Sequence, residues 1–323
     1  MDNVTHTMLG VAMARAGLAQ RFGKGTTLVL AVASNLPDID ALWVLAGQGD
    51  SHLSRRLLTH SVPGLLLLAV ASATVFRWFY QHLAWKTLFG LSLLAMTVHV
   101  FFDLVNSYGV VLFYPFNRTR FEFAWVFIID LAILGLLLAP AGLGPLLKRR
   151  VQPASLWRAS LVGVALYVAV CAGARAQAER VLRNLVTAEQ ATPELTYVFP
   201  EPLGPRLFRG VIKEPGGGYK VYLIRVLSGA AELQAEFPTD EQHPVVRQAR
   251  ASDKGQRLEW FFKAPVWELL DSPGHTHELA APTDEHLCVA YDLRFFSLVL
   301  DRGVPFRYQF LIRNGMAKPL GWE

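Results

Sequence analysis

The stretch TLFGLSLLAMTVHVFFDLVN, residues 87–106, is apolar over most of its length but carries two ionisable side chains, His99 and Asp103. An α-helix of this length rises about 30 Å, which is the thickness of the hydrocarbon core of a bilayer. The stretch therefore predicts a membrane-spanning helix. A charged side chain inside such a span costs about 2.5 to 3.5 kcal/mol on insertion scales, so both residues need a partner or a function.

Other apolar stretches accompany this one in the first half of the chain. Of the 323 residues, 52% are hydrophobic and 18% are charged, which excludes a disordered chain, and two cysteines are too few for a disulfide scaffold. A less apolar stretch, 4–20, predicts a short or partly embedded helix. We predict a mainly α-helical, polytopic membrane bundle of about six helices over residues 1–176, the further spans being 26–46, 60–80, 123–139 and 156–176.

The positive charge of the chain belongs to this apolar part. Residues 1–176 contain 14 Lys and Arg against 7 Asp and Glu, whereas the whole chain has a net charge of +5. Lys and Arg in the connections 21–24, 77–86 and 148–158 place these turns on the cytoplasmic side and both termini on the outer side. Membrane topology accounts for this charge better than nucleic-acid binding does, so no nucleic-acid partner is expected.

After residue 176 the sequence changes character. Apolar runs become shorter, and alternation with period two appears in 219–226 and 288–300, with a glycine triplet at 216–218. Alternation and turn residues of this kind are typical of β-strands. We predict a β-rich soluble domain over residues 177–323, on the extracytoplasmic side.

Ionisable side chains also occur in or beside the other predicted spans. A lone histidine at a helix end is commonly a packing residue, but independent packing residues would not gather on one side of a membrane. Under the topology above, all of these side chains lie towards the outer face, which predicts one shared polar site. They are His6, Asp38, Asp40, His60, His99, Asp103 and Asp130.

Two of the local patterns indicate metal binding. His99 and Asp103 are four residues apart, so they share one helical face and can hold one ion, although a buried polar pair is an open alternative. Imidazole and carboxylate ligands suit Zn²⁺, Mn²⁺ or Fe²⁺. Pro37 is expected to interrupt its helix, and an extended Asp38-Ile39-Asp40 segment would then present both carboxylates on one side.

Polar residues near these candidates extend the predicted site. A guanidinium can hold a phosphate through two hydrogen bonds, so arginines of the outer connections are candidate substrate-binding residues, with contact to lipid head groups as the alternative. Asn106 and Asp130 are candidates for supporting contacts to the ligands, and for Asp130 direct coordination or pairing with an arginine is equally open. The four arginines are Arg55, Arg56, Arg118 and Arg120.

The motifs taken together resemble one bacterial family. DNVTH at 2–6, NLPDID at 35–40, LTHS at 58–61 and HVFFDLVNSYG at 99–109 look like those of the inner-membrane metal-dependent hydrolases, one member of which is described as LexA-binding. The resemblance covers residues 1–140. The order of ligands is also similar, more distantly, to that of zinc-dependent phospholipase C and P1 nuclease, although further His and Glu ligands of that group have no match here. These likenesses imply metal ligation by Asp40, His60, His99 and Asp103, with Asp38 and His6 completing a second site or orienting ligands.

The combined expectation is a metal-dependent hydrolase of the bacterial inner membrane. It would use one or two divalent ions, zinc or else Mn or Fe, to activate water and cleave an ester or phosphoester of a lipid or lipid-linked substrate. Asp38 or Asp103 would accept the proton of that water. Two other classes stay open: an ion or proton transporter, which would need polar residues through the inner half of its helices, and a non-catalytic regulatory membrane protein.

Overall fold

The structure is a computed structural model that describes residues 1–45, 53–147, 151–202, 204–270, 285–300, 303–313 and 316–322. The chain forms two compact units, Met1–Gly173 and Ala174–Glu323. The first unit is helical, and the second contains two antiparallel sheets. A helical N-terminal half followed by a β-rich C-terminal domain is the predicted fold class, which is confirmed.

Eight helices belong wholly or partly to the described residues of the first unit. They are α1 (Asn3–Met13), α2 (Ala19–Phe22), α3 (Thr26–Ala33), α4 (Asp40–Leu45), α5 (Val62–Phe79), α6 (Trp85–Leu104), α7 (Leu131–Leu147) and α8 (Pro153–Ala188). By length and composition, α5, α6 and α8 are the candidates to cross a membrane among the described residues. The apolar helix α7 is shorter and contains Pro140 and Pro145.

The helices α5 and α6 form an antiparallel hairpin that carries the centre of the first unit. Ser61 caps the N-terminus of α5, because its hydroxyl oxygen accepts a hydrogen bond from the Gly64 N–H at 3.2 Å. Inside the hairpin the hydroxyls of Ser72 and Ser92 pair at 2.9 Å. The start of α5 and the end of α6 therefore lie at the same end of the hairpin. The buried core around it is apolar and includes Leu30, Leu65, Ala69, Ala73, Leu88, Leu91 and Ala95.

Three of the predicted spans differ from the observed helices. The stretch 26–46 is not one helix, because it breaks after α3 into a 3-10 helix, Leu36–Ile39, before α4 begins. Pro37 lies in this break, as predicted, but Asp38 is in a 3-10 turn and not in an extended segment. In 123–139 the helix begins only at Leu131, and 156–176 is part of the longer α8.

The stretch 4–20 is also interrupted. A π-helical segment, Ala14–Leu18, separates α1 from α2, and Gly17 within it has a φ of 151°. That backbone conformation favours glycine, which accounts for a kink at this position. The continuous part of the helix is therefore α1, which carries His6.

The described residues of the second unit form two four-stranded antiparallel sheets, each in sequence order. The first sheet consists of β1 (Leu195–Pro200), β2 (Leu207–Lys213), β3 (Tyr219–Arg225) and β4 (Ala230–Phe237). The helices α9 (Pro244–Ala251) and α10 (Asp253–Phe261) precede the second sheet, which consists of β5 (Pro265–Leu269), β6 (Glu285–Asp292), β7 (Tyr308–Arg313) and β8 (Met316–Trp322). The last turns of α8 supply Ala178 and Leu182 to the core of the first sheet.

A buried charged pair organises the interior of the second unit. Glu201 accepts a hydrogen bond from Arg209 at 2.5 Å and another from the Ser297 hydroxyl at 2.6 Å. Arg209 also donates to the Arg294 carbonyl oxygen at 3.0 Å. Both charged side chains are almost completely buried. The pair therefore connects the first sheet with the segment that follows β6.

Candidate metal site

Four buried side chains from three segments meet at one end of the α5–α6 hairpin. His99 and Asp103 lie one turn apart on α6, as their spacing predicts. Asp38 comes from the 3-10 helix before α4, and His60 ends another 3-10 helix, Leu58–His60, just before α5. Each of the four offers a potential ligand atom, and these atoms all lie within 4.8 Å of one another.

The separations of these atoms suit a tetrahedral ion. The Nε2 atoms of His60 and His99 are 3.2 Å apart, and they lie 3.2 and 3.3 Å from Oδ2 of Asp103. Asp38 lies slightly farther out, at 3.7 Å from His60 and 4.0 Å from His99. Metal–ligand bonds of about 2.0 Å place the ligands of a tetrahedral Zn²⁺ about 3.3 Å apart. The donor set and its spacing therefore fit a divalent metal.

Both histidines are oriented by hydrogen bonds on the far side of their rings. Nδ1 of His99 lies 2.7 Å from the carbonyl oxygen of Ser34, which can only accept, so Nδ1 carries the proton and Nε2 offers a lone pair to the cluster. Nδ1 of His60 lies 3.0 Å from the Thr59 hydroxyl. The roles of Ser34 and Thr59 were not predicted from the sequence, although Thr59 stands directly before His60.

Asp40 lies behind His60. Its Oδ2 atom is 3.7 Å from Nδ1 of His60 and accepts hydrogen bonds from the backbone N–H of Arg56 at 2.7 Å and from the Thr59 hydroxyl at 3.2 Å. The predicted metal ligand Asp40 is thus outside the group of four that the described residues bring together. Its position suits a carboxylate that orients His60 and holds the following turn.

His6 lies against the other side of the cluster. Its ring stacks on that of His99, with 3.7 Å between centroids, and its Nε2 atom is 3.4 Å from Oδ1 of Asp103. Neither ring nitrogen has a hydrogen-bond partner among the described residues, although the side chain is completely buried. A buried imidazole of this kind is available as a further ligand.

Two of the four predicted arginines contact the cluster. Arg56 is buried, and its Nη2 atom lies 2.8 Å from Oδ1 of Asp103, an oxygen that the α-amino group of Met1 also contacts. Arg55 is 30% exposed, and its Nη2 atom donates to Oδ1 of Asp38 at 3.0 Å. Arg55 therefore extends from the buried carboxylates to the surface of the site.

The other two arginines are placed differently. Arg120 is buried and donates to the carbonyl oxygens of Gly109 at 2.9 Å and Arg55 at 3.2 Å, so it fastens two loops together. The side chain of Arg118 is exposed. These backbone contacts of Arg120 could not be inferred from the residue type.

The two predicted supporting residues also differ from each other. Asn106 lies beside the cluster, with Nδ2 at 3.4 Å from Oδ1 of Asp103 and Oδ1 accepting the Tyr108 N–H at 2.8 Å. Asp130 immediately precedes α7 instead of lying two turns within a helix. Its carboxylate accepts the N–H groups of Ala132 and Ile133, at 3.0 and 3.1 Å, and the Tyr167 hydroxyl at 3.0 Å. The contacts of Asp130 are those of a helix cap.

Comparison with known proteins adds an independent observation. The sequence model of the YdjM inner membrane proteins matches residues 1–178, which is more than half of the chain. The chain belongs to the YdjM inner membrane protein family. This is the LexA-regulated family that the motifs resemble, and only by name is it a family of metal-dependent hydrolases. The YdjM match includes all the candidate site residues and ends before the first sheet.

One curated relative is the uncharacterized protein YfhP of Bacillus subtilis. It is 31% identical over 125 residues, which make up 36% of this chain and 38% of YfhP. The match therefore spans well under half of either protein. No solved structure matches the chain. The distant likeness to phospholipase C and P1 nuclease stays a prediction.

Proposed function

We propose that this member of the YdjM family is a membrane-embedded metal-dependent hydrolase that cleaves an ester or phosphoester of a lipid or lipid-linked substrate. The observation that carries the proposal is the buried group of Asp38, His60, His99 and Asp103. Arg55 and Arg56 each contact one of the carboxylates, but the Nε2 atoms of His60 and His99 face each other at 3.2 Å, an arrangement that a cation between them would satisfy. Two imidazoles and two carboxylates favour Zn²⁺, with Mn²⁺ or Fe²⁺ as alternatives.

A divalent metal bound by these four residues would need water as a fifth ligand; it would then lower the pKa of that water towards neutrality and polarise the phosphoryl or acyl oxygen of the substrate. The side chains around it have separate tasks. Each carboxylate has one oxygen held by an arginine and the other without a hydrogen-bond partner among the described residues, but Asp38 lies farther from His60 and His99 than Asp103 does. We therefore assign Asp38 as the proton acceptor and Asp103 as a fixed ligand.

The partly exposed Arg55 is suited to hold the substrate. Its guanidinium contacts Asp38 at one side and is accessible at the other, so an anionic group can approach the cluster along it. Phosphate and carboxylate groups accept paired hydrogen bonds from arginine. Arg55 thus favours an anionic substrate, such as a phosphoester.

The position of the cluster supports an amphiphilic substrate. Asp103 is one residue from the end of α6, and His60 comes just before α5, so the site lies at one end of a hairpin about 30 Å long. An ion or proton pathway would require polar groups along the rest of the hairpin, where the buried core is apolar apart from the Ser72–Ser92 pair among the described residues. A hydrolase function therefore accounts for the polar cluster at one end of the hairpin better than a transport function does.

The family name places the protein in the inner membrane. We further propose that the metal site and the second unit, with the two sheets, face the extracytoplasmic side. Lys and Arg in the connections 21–24, 77–86 and 148–158 support this orientation by the positive-inside rule. Reporter fusions in the connection 80–84 and in the second unit would test it, with a cytoplasmic signal expected for the first and an external signal for the second.

The deciding experiment is metal analysis of the detergent-purified protein by elemental mass spectrometry, with hydrolysis of phospholipids and lipid-linked phosphates measured on the same samples. We expect one or two equivalents of metal in the wild type, and loss of about nine-tenths of the metal and of the hydrolysis in His99→Ala and Asp38→Ala. His82→Ala is the matched control, because His82 is exposed and bonds the Lys24 carbonyl. Full metal content in both site variants would refute the assignment.

A further inference from the structure

A large apolar cavity adjoins the candidate metal site. Its volume is about 650 Å³, within the range of pockets that enclose small organic ligands. We refer to it as the chain cavity. Among its lining residues, the apolar side chains are those of Ile39, Leu42, Leu57 and Leu58.

The polar edge of the chain cavity is shared with the metal site. Asp40 and Thr59 line the cavity, and the same two side chains orient His60. Nε of Arg55 lies 3.7 Å from Oδ1 of Asp40, and its Nη2 atom reaches Asp38. A molecule that fills the cavity would therefore have one end beside the guanidinium and the metal ligands.

Three of the apolar side chains that line the cavity are exposed. Leu42 is 62% exposed, Leu58 48% and Ile39 44%. Three large aliphatic side chains at one opening bind hydrocarbon more readily than water. The cavity thus combines apolar lining side chains, three of them exposed, with a polar edge at Asp40 that the Arg55 guanidinium contacts.

We propose that the chain cavity binds one hydrocarbon chain of an anionic amphiphile, with the charged head group at Arg55. Cleavage of that amphiphile rests on the proposed function, but binding of its chain does not. The cavity then selects the substrate class: a molecule with a long alkyl or acyl chain and a phosphate or carboxylate next to the scissile bond.

The test uses the full-length, zinc-supplemented protein and a dodecyl phosphate that carries a photoreactive diazirine at the end of its chain. Ethyl, hexyl and dodecyl phosphate compete for labelling, and mass spectrometry identifies the labelled peptides. Each methylene that becomes buried strengthens binding about fourfold. With the wild-type protein, the longer phosphates are therefore expected to compete much more strongly than the shorter ones. The label is expected on the peptides that contain Leu42 or Leu57.

Filling the cavity separates specific binding from partition into detergent. Leu42→Trp narrows the cavity. It is expected to lower the affinity for dodecyl phosphate at least tenfold relative to the wild type and to change the affinity for ethyl phosphate by no more than about twofold. Partition of each phosphate into detergent is the same for both proteins. The ratio of the wild-type affinity to the variant affinity at each chain length therefore reports binding in the cavity alone. Leu67→Trp is the control, since Leu67 is 66% exposed on α5 and does not line the cavity.

The outcomes distinguish this proposal from the proposed function. Hydrolysis of short and long esters with equal efficiency, with no effect of Leu42→Trp, would refute the chain cavity while leaving the hydrolase intact. Chain-dependent binding that Leu42→Trp abolishes, without hydrolysis of any substrate, would support the cavity and refute the hydrolase. If the ratio of wild-type to Leu42→Trp affinity were the same at all chain lengths, the exposed leucines would contact only bulk lipid and the chain cavity would be refuted.

Discussion

At the scale of single residues, Asp40 and Asp38 are two carboxylates in neighbouring turns with different surroundings. Oδ2 of Asp40 accepts two hydrogen bonds and faces the outer nitrogen of His60, whereas Asp38 faces the ligand nitrogens. A carboxylate behind a ligand histidine fixes the ring and increases its basicity. Asp40 is therefore a positioning residue, and Asp38 belongs to the ligand group.

This difference predicts the effect of removing Asp40. Asp40→Ala should weaken zinc binding about 10- to 100-fold without abolishing it, because the four ligands remain. Asp38→Ala should remove stoichiometric binding. Titration with zinc against a chelating indicator measures both affinities, and equal loss in the two variants would contradict the division of roles.

The residue types of the cluster could be predicted, but their partners could not. The four-residue spacing of His99 and Asp103 fixes a shared helical face, so their proximity follows from the sequence alone. The pairing of Arg56 with Asp103, and of Arg120 with two carbonyl oxygens, depends on loops that meet only in the folded chain. Residue type alone does not distinguish these arginines from the partly exposed Arg55.

At the scale of elements, a close crossing of α1 and α3 positions His6. A Cβ atom added to Gly10 would lie 2.6 Å from the carbonyl oxygen of Leu30 and 2.6 Å from the Ser34 hydroxyl. Ser34 also supplies the carbonyl that orients His99. The absence of a side chain at Gly10 therefore allows α1 to bring His6 against the ligand histidine.

We predict that Gly10→Ala moves α1 away from α3 and lowers both zinc affinity and thermal stability, by about 1 to 3 kcal/mol of unfolding free energy. Gly90→Ala on α6 is the control. No atom of the described part of the chain lies within 4 Å of a Cβ at Gly90, so alanine there should be neutral or stabilising by about 0.5 to 1 kcal/mol. Thermal denaturation followed by circular dichroism measures the stability of both variants, and the zinc titration measures their affinity. Unchanged stability and zinc affinity in Gly10→Ala would contradict the close crossing of α1 and α3.

The elements themselves were predictable to different degrees. Apolar length identifies the α5–α6 hairpin, and Pro37 marks the break after α3. The 3-10 geometry of Asp38 was not predictable, because proline excludes a regular helix without choosing what replaces it. The start of α7 was missed because an apolar run does not reveal that Asp130 caps the helix.

At the scale of the whole molecule, the candidate ligands and the charged pair Glu201–Arg209 belong to different compact units. Burial lowers the pKa of the Arg209 guanidinium, and the adjacent Glu201 carboxylate opposes that shift. Removing one partner of a buried ion pair leaves an uncompensated charge, which costs about 3 to 5 kcal/mol.

Glu201→Ala should therefore destabilise the second unit by that amount and leave the metal content unchanged, because every ligand lies in Met1–Gly173. Hydrogen exchange of the strands of the first sheet, together with elemental analysis, measures the two effects separately. Glu232→Ala is the control: its ion pair with Arg225 is half exposed, so its loss is expected to leave the stability of the second unit nearly unchanged. Loss of metal in Glu201→Ala would show that the units depend on each other.

The exposed residues of the chain cavity, Leu42 and Leu58, also bear on which substrate concentration sets the rate, the one in the membrane or the one in the water. An amphiphile bound as proposed would enter past this apolar rim, sideways from the lipid leaflet, without dissolving in water. The rate then depends on the mole fraction of substrate among the surrounding lipids. Diluting a vesicle suspension with buffer would leave the turnover rate unchanged, whereas diluting the substrate with inert lipid would reduce it.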